Sequence, residues 1–171
     1  DVIISAPFGG NYTGQVGIFL GASWSTWAKD MAMTDADTVI DGGGGTEFFG
    51  AGVSCADIDG DGHLDLAIGN SEVDIPDYGM DEDYGVYLFY GDGYAFPTKV
   101  SRDEADAAFT VDMAPVDTTA TTVFLNELRT ADLDGNGASE LVLSVGSSEV
   151  SLWDGEVKLL VVEGSRYSGS S

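Results

Sequence analysis

Two stretches of this chain spell the same acidic hairpin, and that repetition constrains the fold more than any other feature. Residues 49–70 read FGAGVSCADIDGDGHLDLAIGN, and residues 124–145 read FLNELRTADLDGNGASELVLSV. Asp57 falls on Asp132 and Asp65 on Glu140 at one constant offset, 75 positions. Each block then reaches a second apolar segment ending in glycine, GVYLFYG at 85–91 and GEVKLLVVEG at 155–164. The N-terminus fits the same template from its middle onward. Asp1-Val-Ile-Ile-Ser-Ala-Pro lies on Asp65-Leu-Ala-Ile-Gly-Asn-Ser, and GQVGIFLG at 14–21 lies on GVYLFYG. The chain therefore divides into the back part of one repeat over 1–46, a second repeat over 47–121 and a third over 122–171. A unit of this length suits a four-stranded sheet.

The segments between the turns support an all-β fold. Apolar runs of five to eight residues recur at Val2–Ala6, Val16–Leu20, Leu64–Ile68, Val86–Tyr90, Leu141–Val145 and Val157–Val162. They are rich in β-branched and aromatic residues and are bounded by Gly, Asp, Asn and Ser, which is the signature of short strands. Long helical periodicity is missing; Ser23–Met33 and Arg102–Ala108 have room for a helical turn at most.

The acidic loop carries the chemistry. Asp57, Asp59 and Asp61 alternate along a tight turn, Gly62 follows, and Asp65 closes the run. The second copy is Asp132, Asp134, Asn136, Gly137 and Glu140. Side chains at positions 1, 3 and 5 of such a loop converge on one centre, and glycine permits the sharp turn. Position 7, His63 or Ala138, offers a backbone carbonyl, and position 9 supplies the closing carboxylate. Calcium takes six to eight oxygens of this kind, whereas magnesium prefers to keep its waters. Asp-Gly and Asn-Gly runs also make plain hairpin turns, but two copies in register favour two calcium sites. An EF-hand is excluded by the twelfth position, which is Ile68 in one copy and Leu143 in the other rather than glutamate.

Charge narrows the partners. Thirty acidic residues against six basic ones give a net charge of −24, so no surface here neutralises phosphates and nucleic acid is excluded. No run is long and apolar enough to enter a bilayer directly. One cysteine, Cys55, rules out an internal disulfide and is expected to pack as a small apolar side chain. An enzymatic role is not expected. The one histidine, His63, lies inside an acidic loop, and Gly42–Gly45 lacks the lysine of a phosphate-binding loop.

Phe49-Gly50, the Asp-rich loop and Gly69-Asn70-Ser71 together resemble the FG-GAP repeat of integrin α-subunit propellers and related surface proteins. Ser5-Ala6-Pro7 is the closer match to the GAP element, and Phe124-Leu125 a weaker match to the FG element. The resemblance implies that each repeat is one blade of a β-propeller, about two and a half blades in all. The calcium loop would join the first and second strands of its blade. It implies an extracellular or cell-surface setting and a binding role, either as an adhesion or recognition module or as a structural subunit of a filament or surface assembly. Loops on the opposite face would meet a protein or glycan ligand, or neighbouring copies. Projected onto the repeat, these are Phe8–Gln15, Asp41–Thr46, Glu72–Tyr84, Met113–Thr122 and Ser147–Asp154. Asn11-Tyr12-Thr13 in the first of them is a glycosylation sequon.

Overall fold

Glycine and aspartate punctuate this chain so often that strands of about five residues are the longest elements most of it can sustain. The computed structural model describes residues 1–44, 48–71, 85–94, 96–110, 122–148, 157–164 and 169–170. Three sheets make up this part of the protein. The first is built from β1 (Val2–Ala6), β2 (Gln15–Phe19) and β3 (Thr38–Asp41), hydrogen-bonded in that order. The second contains β4 (Gly52–Ala56), β5 (Asp65–Gly69), β6 (Gly85–Phe89) and β8 (Ala107–Thr110). The third contains β9 (Thr122–Ala131), β10 (Glu140–Ser148) and β11 (Val157–Val162). All these pairings are antiparallel. The protein is all-β, and none of the three sheets closes on itself among the described residues.

Two short strands link the sheets. β7 (Lys99–Ser101) lies between β6 and β8 in sequence, yet it pairs in parallel with β3 of the first sheet. β12 (Gly169–Ser170) follows β11 and pairs in parallel with β8 of the second. The connection leaving the third strand of one sheet thus reaches back to the last strand of the sheet before it, twice in the same manner. Helical content among the described residues is confined to short pieces of one or two turns, at Gly9–Tyr12, Gly21–Thr26, Met33–Asp35 and Arg102–Glu104.

The register repeats as the sequence does. Val2 faces Phe19, Leu66 faces Phe89 and Leu141 faces Val162. Two cores follow from it. Val16, Ile18, Ile40, Phe49 and Val100 meet Leu66, Ile68 and Phe89 between the first and second sheets. Ile58, Val86, Leu88 and Ala107 meet Leu128, Leu141 and Leu143 between the second and third. Close packing needs small residues at the contact. Gly14, at φ +84°, lies against the backbone of Phe49, where any side chain would collide.

Two sequence expectations change. Leu64 is exposed and β5 begins at Asp65. Cys55 is exposed rather than packed. It shares a strand face with Val53, which packs on the first core, but stands one pleat further along. Ser54, on the other face, meets Thr130 of β9 at 2.8 Å. Partial desolvation, with the nearby Asp65 carboxylate, pushes the Cys55 thiol upward.

Asp41 fastens β3 at its end. Its carboxylate accepts from Gln15 Nε2 at 2.6 Å and pairs with Lys99 Nζ at 2.8 Å. Burial opposes its charge, but these two partners prevail and hold the carboxyl below 3.8. A depressed acid contributes stability above its unfolded value and loses it as pH falls through the folded one. Its Lys99 partner is exposed, so Asp41→Asn should cost less than about 1 kcal/mol at neutral pH. The gap between variant and native protein should close as pH falls below 3.8. Denaturant melts of both proteins across pH measure this; a gap that widens in acid would refute the pairing.

Candidate metal loops

Both acidic loops sit where the sequence places them, between the first and second strands of a sheet, β4 to β5 and β9 to β10. Each is wound by its own carboxylates. Asp57 Oδ1 accepts the N–H groups of Gly60 and Asp61 at 2.7 and 3.1 Å, and Oδ2 accepts that of Gly62 at 2.9 Å. In the second loop Asp132 Oδ1 accepts from Gly135 at 2.7 Å and Oδ2 from Gly137 at 3.1 Å. Positions 3 and 5 repeat the pattern two residues on. Asp61 and His63 donate to Asp59 and Asp61 at 3.1 and 2.8 Å, while Asn136 and Ala138 donate to Asp134 and Asn136 at 2.9 and 2.7 Å. A short acid that bonds its own backbone two or three residues on is the standard local device for such a turn. It requires left-handed backbone, which glycine supplies at φ +76° and +90° for Gly60 and Gly62, and +78° and +98° for Gly135 and Gly137.

The winding draws the carboxylates together. Oxygens of Asp57, Asp59 and Asp61 lie within 4.8 Å of one another, as do those of Asp132, Asp134 and Glu140. Asn136 donates Nδ2–H to Asp134 at 3.0 Å. His63 is exposed, with its ring beside Gly93. Carboxylates at this spacing are a donor set for a hard cation, and bare they repel one another.

Position 9 has a structural task that sequence reasoning did not anticipate. Asp65 is fully buried. Its Oδ2 accepts the N–H of Ile58 at 2.8 Å and of Asp59 at 3.3 Å, and its Oδ1 accepts that of Gly91 at 2.8 Å. Burial pushes its carboxyl upward against those bonds. Glu140 does the same in the third sheet, accepting from Leu133 at 2.7 Å and Gly164 at 3.4 Å. Asp1 accepts from Gly21 at 2.7 Å in the first. Gly21, Gly91 and Gly164 are the glycines that end the repeated apolar segments, so the acid-to-glycine spacing was the available signal. A further contact joins the loops themselves. Ser139 N–H donates to the Asp57 carbonyl at 2.7 Å.

Asn11 is exposed in the turn after β1, with φ +63°. Phe8, Tyr12 and Phe48 stand edge to face around that turn, with ring centroids 5.3 to 6.4 Å apart. The expected partner-facing segments at 72–84, 113–121 and 149–154, and residues 45–46, lie outside the described residues.

Because the loops depend on left-handed backbone, alanine at Gly62 or Gly137 is costly although no atom lies within 4 Å of the added carbon. Each substitution should destabilise by about 1–2 kcal/mol, the price of left-handed backbone for a side chain. Equilibrium unfolding of Gly62→Ala and Gly137→Ala measures it, and native-like stability in either would show that its loop does not hold this turn.

Residues 49–89 match the family model described as the FG-GAP repeat. No curated protein matches the chain. The matched stretch runs from Phe49 through β4, the first acidic loop and β5 to the end of β6. Its strand order and its acid-to-glycine tie recur in the third sheet, and its register and tie in the first. On that match, residues 49–89 of this chain are similar to the FG-GAP repeat.

Proposed function

We propose that this chain is a calcium-stabilised, propeller-type segment of an extracellular or cell-surface protein, working by binding rather than catalysis, as an adhesion or recognition module. One observation supports the reading above the others: two acidic clusters stand at the same loop of two repeats, one inside the FG-GAP match. FG-GAP repeats often bind calcium and occur in extracellular proteins. No helix among the described residues is long and apolar enough to cross a membrane.

In this reading one calcium ion is held by Asp57, Asp59, Asp61 and Asp65 with the His63 carbonyl. A second is held by Asp132, Asp134, Asn136 and Glu140 with the Ala138 carbonyl. The amide bonds accepted by Asp57 and Asp65 do not exhaust them, because a carboxylate offers about four lone-pair directions. The exposed rings of Phe8 and Tyr12, packed edge to face with the half-buried Phe48, support a protein- or glycan-binding face at the far end of the sheets, with Asn11 as a glycan acceptor beside it. A structural subunit of a filament or surface assembly is the second reading, supported by the exposed apolar residues Val2, Ile4, Leu159 and Val161.

Calcium titration tests the core of this proposal. The native chain should bind two ions, the 132–140 loop more weakly, because Asn136 replaces a carboxylate and ligand charge tunes affinity. Asp57→Ala and Asp132→Ala should each remove one ion; undiminished stoichiometry in both would defeat the assignment. At calcium 100 times the dissociation constant each site should add about 2.7 kcal/mol, and both together roughly 5 kcal/mol. A melting curve indifferent to chelator would show the loops to be ordinary turns.

A further inference from the structure

The two acidic loops share a junction made of main chain. Asp57 opens the first loop, and its carbonyl accepts the Ser139 N–H at 2.7 Å. Ser139 stands in the second loop between Ala138, the seventh position, and Glu140, the closing acid. Beside this bond the loops pack, since a β-carbon on Gly60 would meet that of Ala138 at 3.5 Å. Gly164 fills the same corner. A β-carbon there would lie 2.7 Å from the Ser139 oxygen and 3.1 Å from that of Ile58. On the other side of Asp57, the Ile58 N–H donates to Asp65 at 2.8 Å. One path of covalent and hydrogen bonds therefore runs from the closing acid of the first loop, through Ile58, Asp57 and Ser139, to the closing acid of the second.

Such a path matters because each loop has something to lose when it is ordered. Bare carboxylates within 4.8 Å of one another repel, so without a cation only the amide bonds hold the loop in shape. Binding a cation fixes that main chain and costs conformational entropy. A loop whose frame is already held by an ordered neighbour has less left to lose. The Ser139 bond places the frame of each loop against the other at a ligand position, Asp57 on one side and the residue next to Glu140 on the other.

We infer that the two loops bind calcium with positive coupling, and that the hydrogen bond from Ser139 to the Asp57 carbonyl carries it. The inference rests on the calcium reading but goes beyond it, since two independent loops would satisfy that reading equally well. One neutral backbone hydrogen bond shifts an equilibrium by roughly fivefold, and that is the coupling expected, at the low end of the usual range. Charge works in the opposite sense. Filling one loop removes negative potential that draws a cation to its neighbour, although salt at 0.15 M screens this beyond about 8 Å. The sign of the measured effect therefore tells the two apart.

Calcium titration followed by NMR provides the test, with the Gly62 and Gly137 amides reporting the two loops separately. Asp59→Ala disables the first loop but leaves its winding by Asp57 in place. Binding at 132–140 should then weaken roughly fivefold. Charge alone predicts tightening, because an empty loop one acid short is still more negative than a complete loop holding a dication. In a Ser139→Pro background, which lacks the donor N–H, the effect of Asp59→Ala should vanish; with Ser139→Ala, which keeps it, the effect should persist. Solvent exchange of the Ser139 amide gives an independent readout. In Asp134→Ala, whose second loop is disabled, calcium in the first loop should still slow that exchange several-fold. An affinity at 132–140 that is unchanged or tighter in Asp59→Ala overturns the inference, as does a Ser139 amide indifferent to calcium. Should Ser139→Pro not fold, those two measurements decide alone. Two ions bound independently would leave the calcium reading standing, whereas no ion in either loop would remove both.

Discussion

A buried carboxylate organises the second and third repeats. Asp65 is withdrawn from water at the start of β5, and the cost is offset by three backbone N–H groups, two from the acidic loop and one from Gly91 beyond the end of β6. One side chain thus sets three things together: where the loop begins to turn, where β5 starts and where β6 stops. With Leu66 opposite Phe89, the apolar residues of both strands then fall on matching faces. A slip of one residue would exchange those faces, so the buried charge and the core specify the same register. Glu140 reproduces the arrangement with one more methylene, and its bond to Gly164 is correspondingly looser, at 3.4 Å.

The acidic loop is therefore more than a candidate cation cage. Its closing residue belongs to the sheet, and its opening residue touches the next loop, since the Asp57 carbonyl accepts from Ser139. Whatever orders one loop acts on the frame of the other. Gly60 lies beside Ala138 at the same junction, so the loops approach closely enough for packing as well as hydrogen bonding.

Much of this was legible in the sequence, and the reason is local. Alternation of apolar residues and a fixed distance from acid to glycine are short-range properties. They placed β1 and β11 on the residues observed, and β2, β5 and β6 within a residue of them. The self-match at 75 positions carried the second hairpin onto the third sheet. What was not legible depends on contacts between repeats. Cys55 looked like a core residue because its strand alternates, yet the core ends one pleat short of it. Asp65 looked like a ligand alone because its amide donors, Ile58 and Gly91, are brought to it by folding. β7 and β12 gave no signal as strands, since their pairing partners lie in a neighbouring sheet.

Those two short strands have a temporal consequence. The first sheet borrows Lys99–Ser101 from the connection inside the second, and the second borrows Gly169–Ser170 from beyond β11. Neither sheet is complete when its own run of strands has left the ribosome. Translation delivers about 5–20 residues per second, and domains fold as their sequence emerges. β3 must therefore wait for about 60 further residues, some seconds at those rates, before β7 covers its edge. Throughout that interval an unfinished edge is open to other chains. Growth of the array is obliged to run forward, each unit finishing the one made before it.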